Sequence, residues 1–75
     1  MQIEELTQAE RIAIATQQRR EYRVQLEGLK NEMGLAQFLN DTARAEDIRK
    51  RAEQVAQSIA YYDKLISEAR GEKTA

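Results

Sequence analysis

The apolar residues in the second half of the chain recur at alternating steps of three and four. This spacing continues without a slip through more than three heptads, which is the a/d pattern of a long helix with one narrow apolar seam. The seam positions are Ala45, Ile48, Ala52, Val55, Ile59, Tyr62, Ile66 and Ala69. Because such a seam needs another helix to cover it, the pattern predicts a helix packed against a partner helix.

The first half of the chain carries a second seam with the same spacing. Its positions are Ile12, Ala15, Arg19, Tyr22, Leu26, Leu29, Met33 and Ala36. Arg19 falls on an a position. It can run its aliphatic stem along the seam and leave its guanidinium in water, or it can specify register or oligomeric state at a cost in stability. The sequence leaves both roles open.

Capping residues predict the ends of the first helix. Thr7 and Glu10 have the spacing of a capping box, in which each side chain accepts a hydrogen bond from the other residue's backbone amide. Gly34 is suited to the left-handed conformation that follows a helix. The sequence therefore predicts helix 1 over about residues 8–33 and a connection over residues 34–41.

The second helix has its own start and stop signals. Three successive residues that favour the N-cap position precede it, namely Asn40, Asp41 and Thr42. Gly71 is the predicted left-handed residue at its far end, directly after Arg70. These signals predict helix 2 over about residues 42–70.

Two helices of similar length with a short connection predict one all-α domain over residues 1–75, an antiparallel coiled-coil-like hairpin. We expect Phe38 or Leu39 to close the core at the connection. The expected pairing places Leu29 near Ile48, Tyr22 near Ala52 and Val55, and Ile12 near Tyr62. The predicted hairpin core consists of Ile12, Tyr22, Leu26, Leu29, Met33, Ile48, Val55, Ile59, Tyr62 and Ile66.

Several large apolar residues lie off both seams and gather where the two termini meet. They are Ile3, Leu6, Ile14, Tyr61 and Leu65. Since a lone hairpin of this size has a small core, we expect these residues to form a partner or oligomer surface. A second copy or a helix of another protein would then complete a bundle. The alternative is that Ile3 and Leu6 fold over this end within the same chain.

Composition narrows the classes of function. The chain has 12 basic and 13 acidic residues, a net charge of −1, and no Cys, His, Pro or Trp. We therefore expect no active site, cofactor, metal or small-molecule ligand, because residues for proton transfer near neutral pH and for thiol chemistry are missing. The acids instead stand near bases at helical spacing, as in the pairs Glu46–Lys50 and Asp47–Arg51.

The start of the chain lacks the basic and apolar regions of a secretory signal. Its longest apolar run, Ile12–Ala15, is far shorter than a membrane span. We therefore expect a cytoplasmic protein with no membrane partner, which the absence of cysteine also fits.

These observations predict a non-enzymatic protein–protein interaction module that acts by helix packing. Its build is similar to that of small helical-hairpin co-chaperones of secretion systems and phage assembly. The similarity covers architecture and length. For the module itself we expect an adaptor, chaperone-like or inhibitor role. The alternative is a small dimeric hairpin that binds nucleic acid through a basic face in mid-hairpin. That face would consist of Arg19, Arg20, Arg23, Arg49, Lys50 and Arg51.

Overall fold

The computed structural model describes residues 6–71, which form two α-helices joined by a short turn. Helix α1 spans Gln8–Phe38 and helix α2 spans Thr42–Ala69. The helices pack against each other as an antiparallel pair, and residues 6–71 contain no strand. The all-α hairpin predicted from the two seams is confirmed.

Helix α1 begins with the predicted capping box. The Thr7 hydroxyl oxygen accepts the backbone N–H of Glu10 at 3.1 Å, and the Glu10 carboxylate accepts the backbone N–H of Thr7 at 3.0 Å. The amide of Thr7, and to a lesser degree its hydroxyl, lowers the pKa of Glu10 because these hydrogen bonds favour the ionised carboxylate. The cap thus satisfies amides that the first helical turn leaves without carbonyl partners.

The predicted end of α1 at Gly34 is wrong, because the helix continues to Phe38. The left-handed residue is Asn40, with φ of 55°. Its N–H donates to the carbonyl of Gln37 at 3.1 Å, and the N–H of Asp41 donates to the carbonyl of Ala36 at 2.8 Å, which is a Schellman motif. Ala36 is fully buried, so the seam continues past Gly34 and its packing outweighs the low helix propensity of glycine.

Helix α2 begins and ends at residues that the sequence singled out. Asp41 is the N-cap, and its carboxylate accepts the backbone N–H of Arg44 at 3.1 Å. At the other end Gly71 has a φ of 73° and donates its N–H to the carbonyl of Glu68 at 3.0 Å. The prediction of Gly71 as the left-handed residue after α2 is confirmed.

The expectation that Phe38 or Leu39 closes the core at the connection is also wrong. Phe38 is 82 % exposed and Leu39 is 56 % exposed. Because α1 extends further than predicted, Phe38 falls on the outer surface of its last turn. The buried seam ends at Ala36.

The register of the two helices differs from the predicted pairing by about one heptad, or two helical turns. The rings of Tyr22 and Tyr62 are stacked with their centroids 5.7 Å apart, although Tyr22 was expected near Ala52 and Val55. The other two expected pairings are wrong in the same direction. Leu29 shares a groove with Val55 instead of Ile48. Ala15 shares a groove with Ala69, so Ile12, one turn before Ala15, lies beyond Tyr62 toward the end of α2. Because α1 continues for one more turn beyond Gly34 before the chain reverses, each α1 residue lies beside a later residue of α2 than predicted.

The core is a single layer of side chains between the helices. Ile48 and Ile66 are buried together with the small residues Ala15 and Ala36. The other eight predicted core residues are half-buried, namely Ile12, Tyr22, Leu26, Leu29, Met33, Val55, Ile59 and Tyr62. In a two-helix hairpin each seam residue is covered only by its own helix and the facing one. The edges of the larger seam side chains therefore remain open to solvent on both flanks.

Candidate protein interaction surface

The seam divides the hairpin surface into two flanks, each built from both helices. With a and d in the seam, positions g and c lie to one side of each helix and positions e and b to the other. The g residues of the two helices share grooves, as Arg11 does with Leu65 and Gln25 with Arg51. On the other side, the e residues Arg23 and Asp63 come together.

We name the two flanks by their content. The apolar flank comprises the g and c positions: Arg11, Ile14, Gln18, Glu21, Gln25, Gly28, Glu32, Leu35, Arg44, Asp47, Arg51, Gln54, Ser58, Tyr61, Leu65 and Glu68. The charged flank comprises the e and b positions: Ala13, Thr16, Arg20, Arg23, Glu27, Lys30, Gly34, Gln37, Glu46, Arg49, Glu53, Ala56, Ala60, Asp63, Ser67 and Arg70.

Four of the six large exposed hydrophobic residues within the helices lie on the apolar flank. Ile14, Leu35, Tyr61 and Leu65 all lie there, with exposures of 46 %, 50 %, 59 % and 37 %. The other two, Val24 and Phe38, are at f positions on the outer face of α1, where Val24 shares a groove with Arg20 and Arg23. On the charged flank the only apolar side chains are alanines, and most other residues carry a charge. The two sides of the hairpin therefore differ sharply in how readily another chain can cover them.

Of the predicted partner surface, Ile14 and Leu65 lie toward the open end of the hairpin, where the termini lie, whereas Tyr61 lies nearer mid-hairpin, at the level of Tyr22. Leu65 lines a groove with Arg11 and Ala15, and Ile14 follows Arg11 by one turn of α1. The Tyr61 ring packs edge-on against Tyr62, with centroids 5.2 Å apart. Tyr61 is thereby the exposed member of an aromatic cluster that continues into the seam.

The other two residues of the predicted surface have different outcomes. Leu6 is exposed just before α1, so it does not fold over the end of the core. Ile3 lies outside the described residues. Sequence reasoning missed Leu35, which the prediction placed in the connection. Its signal was its c position, visible once the heptad is continued past Gly34.

The centre of the apolar flank has Glu21 as its one charged residue, and the groove at Gly28 is bordered by Glu32 and Arg51 on the side nearer the turn. Between the open end and Glu32 its residues are Gln18, Glu21, Gln25, Gly28, Gln54 and Ser58. An added Cβ at Gly28 would meet no atom within 4 Å, so the groove between the helices is open at this level. A surface of neutral amides, a glycine and large apolar side chains has few charges to desolvate when another chain covers it.

Arg19 links the two helices from its seam position. Its Nη1 donates to the Asp63 carboxylate at 2.7 Å, and Arg23 approaches the same carboxylate at 3.9 Å. The Arg19 side chain is 21 % exposed, so its guanidinium is not simply left in water. Its Nε is buried and has no hydrogen-bond partner, so the side chain depends on Asp63 for its pairing.

The structure does not bring together the two basic groups of the nucleic-acid alternative. Arg19 and Arg23 lie at the level of Asp63, whereas Arg51 lies at the level of Glu32. These levels are separated by roughly 15–20 Å along the hairpin. The predicted juxtaposition is wrong, because it depended on the register that the structure shifts by about a heptad.

Acidic neighbours also engage the basic residues near the turn. Arg49 donates from Nε to Glu46 at 3.1 Å and also pairs with Glu53. The hydrogen bond to Arg49 lowers the pKa of Glu46, and in turn it raises the pKa of Arg49. Arg51 pairs with Asp47 at 3.5 Å, as the spacing predicted, whereas Glu46 pairs with Arg49 and not with the expected Lys50. These ion pairs reduce the positive charge that a phosphate would meet.

Within residues 6–71, no three acidic side chains come close enough to one another to bind a metal ion. Neither helix combines the length and the apolarity that crossing a membrane requires. The chain matches no protein-family model, no curated protein and no solved structure.

Proposed function

We propose that the protein is a non-enzymatic interaction module that binds another protein chain by helix packing along its apolar flank. The observation that carries this proposal is the one-sided distribution of exposed Ile14, Leu35, Tyr61 and Leu65. Large exposed apolar side chains grouped on one face, with polar residues among and around them, are typical of interaction sites. An adaptor, chaperone-like or inhibitor role fits a surface that covers a helix of its target.

The shape of the flank suits a helical partner. Tyr61 and Leu65 are one turn apart on α2, so they present a ridge of the kind that packs into a groove of a facing helix. The open groove at Gly28 can receive a ridge in return. Tyr61 supplies a large contact area with two rotatable side-chain bonds and a hydroxyl that remains able to hydrogen-bond at the rim.

A photo-crosslinking amino acid at position 61 tests the proposal in the native host. The matched control is position 60, an exposed alanine on the charged flank of the same turn. We expect position 61 to give one or a few discrete cross-linked protein species and position 60 to give none. Equal labelling at both positions, or no protein adduct at position 61, would contradict the proposal.

A further inference from the structure

The charges at the two ends of the apolar flank have a regular arrangement. Near the open end, Arg11 of α1 shares a groove with Leu65 and Glu68 of α2. Nearer the turn, Glu32 of α1 shares a groove with Arg51 of α2. Arg44 and Asp47 of α2 line the same groove, and Asp47 pairs with Arg51, so α2 carries a net positive charge at this level. At each level the two helices therefore carry opposite net charges, and the net sign on each helix reverses between the levels.

We propose that the apolar flank binds a second copy of this chain, with a two-fold axis parallel to the hairpin, to form a four-helix bundle. This inference rests on the proposed function and names the partner. The two-fold rotation lays α1 of one copy over α2 of the other at the same level. Arg11 then faces Glu68 of the other copy, and Glu32 faces Arg51 of the other copy. Because such an interface is isologous, symmetry doubles each contact into four complementary ion pairs.

The same rotation brings the apolar residues of both copies together. Ile14 and Leu65 lie at neighbouring levels near the open end, so each faces its counterpart's apolar cluster across the axis. Tyr61 lies at the level of Tyr22, where its hydroxyl can donate to Glu21 of the other copy. Gly28 lies opposite Gln54 of the other copy, and the missing side chain allows the two hairpins to approach closely.

The alternative two-fold axis, across the hairpin, is less suitable. It would lay α1 over α1 and place the open-end apolar cluster of one copy over the charged residues Glu32 and Arg51 of the other. Arg11 would then face Glu32 of the other copy and Glu68 would face Arg51, so the charges would be complementary in this arrangement too.

The arrangement with α1 over α2 is favoured because it brings Ile14 and Leu65 of both copies together. Charge reversal distinguishes the two arrangements, because exchanging the signs of Arg11 and Glu32 preserves the pairs of α1 over α1 and opposes those of α1 over α2.

The size of the flank agrees with a stable dimer. Two helices side by side, each about 40 Å long and about 10 Å wide, present on the order of 800 Å² to a second copy. This is about the area that each partner contributes to a standard protein interface. A second layer of helices would also cover the edges of seam residues such as Leu29 and Val55, which are half-buried in the hairpin alone.

Charge exchange between two variants of the full-length chain tests the second copy as the partner. Variant X carries Arg11→Glu and Glu32→Arg, and variant Y carries Arg51→Glu and Glu68→Arg. Each variant keeps the net charge of −1. In an X–X or Y–Y pair every proposed ion pair becomes a like-charge contact, whereas in an X–Y pair all four become complementary again.

Sedimentation equilibrium on purified protein measures the outcome, with wild type as the reference. We expect wild type to dimerise, X and Y alone to dimerise at least about tenfold more weakly, and the equimolar mixture to form an X–Y dimer with a Kd close to wild type. Mixing changes no contact inside either chain. Recovery on mixing therefore reports contacts between copies, even if a variant alone is less stable.

Two results would overturn the second copy as the partner. One is wild type that stays monomeric up to about 1 mM, and the other is a mixture that associates no better than X or Y alone. If position 61 then cross-links to a different protein in the native host, the interaction function stands and only the self-association falls. If position 61 also gives no protein adduct, both proposals fall.

Discussion

At the scale of single residues, Asn40 determines where the hairpin turns. It is the one non-glycine residue with a positive φ in the described part of the chain. Asparagine tolerates the left-handed region better than most residues, because its short polar side chain can hydrogen-bond locally. The two hydrogen bonds that close α1 depend on this conformation.

We predict that Asn40→Ala lowers the free energy of unfolding by about 1 kcal/mol, whereas Asn40→Gly leaves it unchanged or raises it. Urea unfolding followed by circular dichroism measures both. Asn31→Ala, at an exposed position inside α1, serves as the control and should be neutral or stabilising. An Asn40→Ala variant as stable as wild type would show that the turn does not depend on this residue.

Glu10 gives the stability a defined dependence on pH. Its pKa in the folded protein lies below the ordinary value of 4.5, chiefly because of the hydrogen bond from the Thr7 amide. A carboxylate with a lowered folded pKa stabilises the protein above its unfolded pKa, and the contribution disappears as the pH falls through the folded pKa.

We therefore predict that the free energy of unfolding falls as the pH drops below 4.5, and that Glu10→Gln reduces this fall. Urea titrations of both proteins at neutral pH and at successively lower pH values measure the difference. Glu46, whose pKa Arg49 lowers, contributes in the same direction, so the variant should keep part of the dependence. If Glu10→Gln shows the full wild-type fall, the capping carboxylate does not contribute.

At the scale of the helices, Gly34 distinguishes the observed end of α1 from the predicted one. It lies inside α1 with no atom within 4 Å of an added Cβ. We predict that Gly34→Ala raises the free energy of unfolding by about 0.5–1 kcal/mol, because alanine has the higher helix propensity. Gly71→Ala should instead be destabilising, since Gly71 has a φ of 73°. Thermal unfolding of the two variants compares them, and destabilisation by Gly34→Ala would favour the shorter helix.

The Arg19–Asp63 pair acts between the helices. We predict that Asp63→Ala lowers the free energy of unfolding by up to about 1 kcal/mol, because it leaves a mostly buried seam arginine without its partner. Asp47→Ala removes the exposed Asp47–Arg51 pair within α2 and should change stability by less than about 0.5 kcal/mol. Equal effects of the two variants in urea unfolding would remove any special role for the seam arginine.

At the scale of the whole molecule, the proposed binding function depends on the difference between the flanks. Two adjacent residues of α1 allow the flanks to be compared directly. Ile14 lies on the apolar flank and Ala13 lies on the charged flank, and both are exposed. We predict that Ile14→Lys weakens self-association at least about tenfold, while Ala13→Lys changes it little. Sedimentation of both variants, with circular dichroism as a check on helix content, makes the comparison. Equal effects would mean that the association is not specific to the apolar flank.

The sequence by itself determined the local features of this protein. Both seams follow from heptad spacing, and the capping box at Thr7 and the left-handed Gly71 follow from short motifs, because each depends on residues within a few positions of one another. Of the surface residues, Ile14, Tyr61 and Leu65 could be recognised because they fall off the seam. Leu35 was missed although the seam continues to Ala36, because Gly34 indicated an earlier end of α1 and placed Leu35 in the connection.

The tertiary structure alone decided the end of α1 and the register. Sliding one helix past the other by a heptad places a and d residues opposite a and d residues again, so apolar patterning distinguishes such registers only weakly. The choice depends on the turn at Asn40 and on contacts between distant residues, such as Tyr22 with Tyr62 and Arg19 with Asp63. That register separates the two basic groups and brings Arg11 into one groove with Glu68, so the surface chemistry of the hairpin follows from packing between the helices.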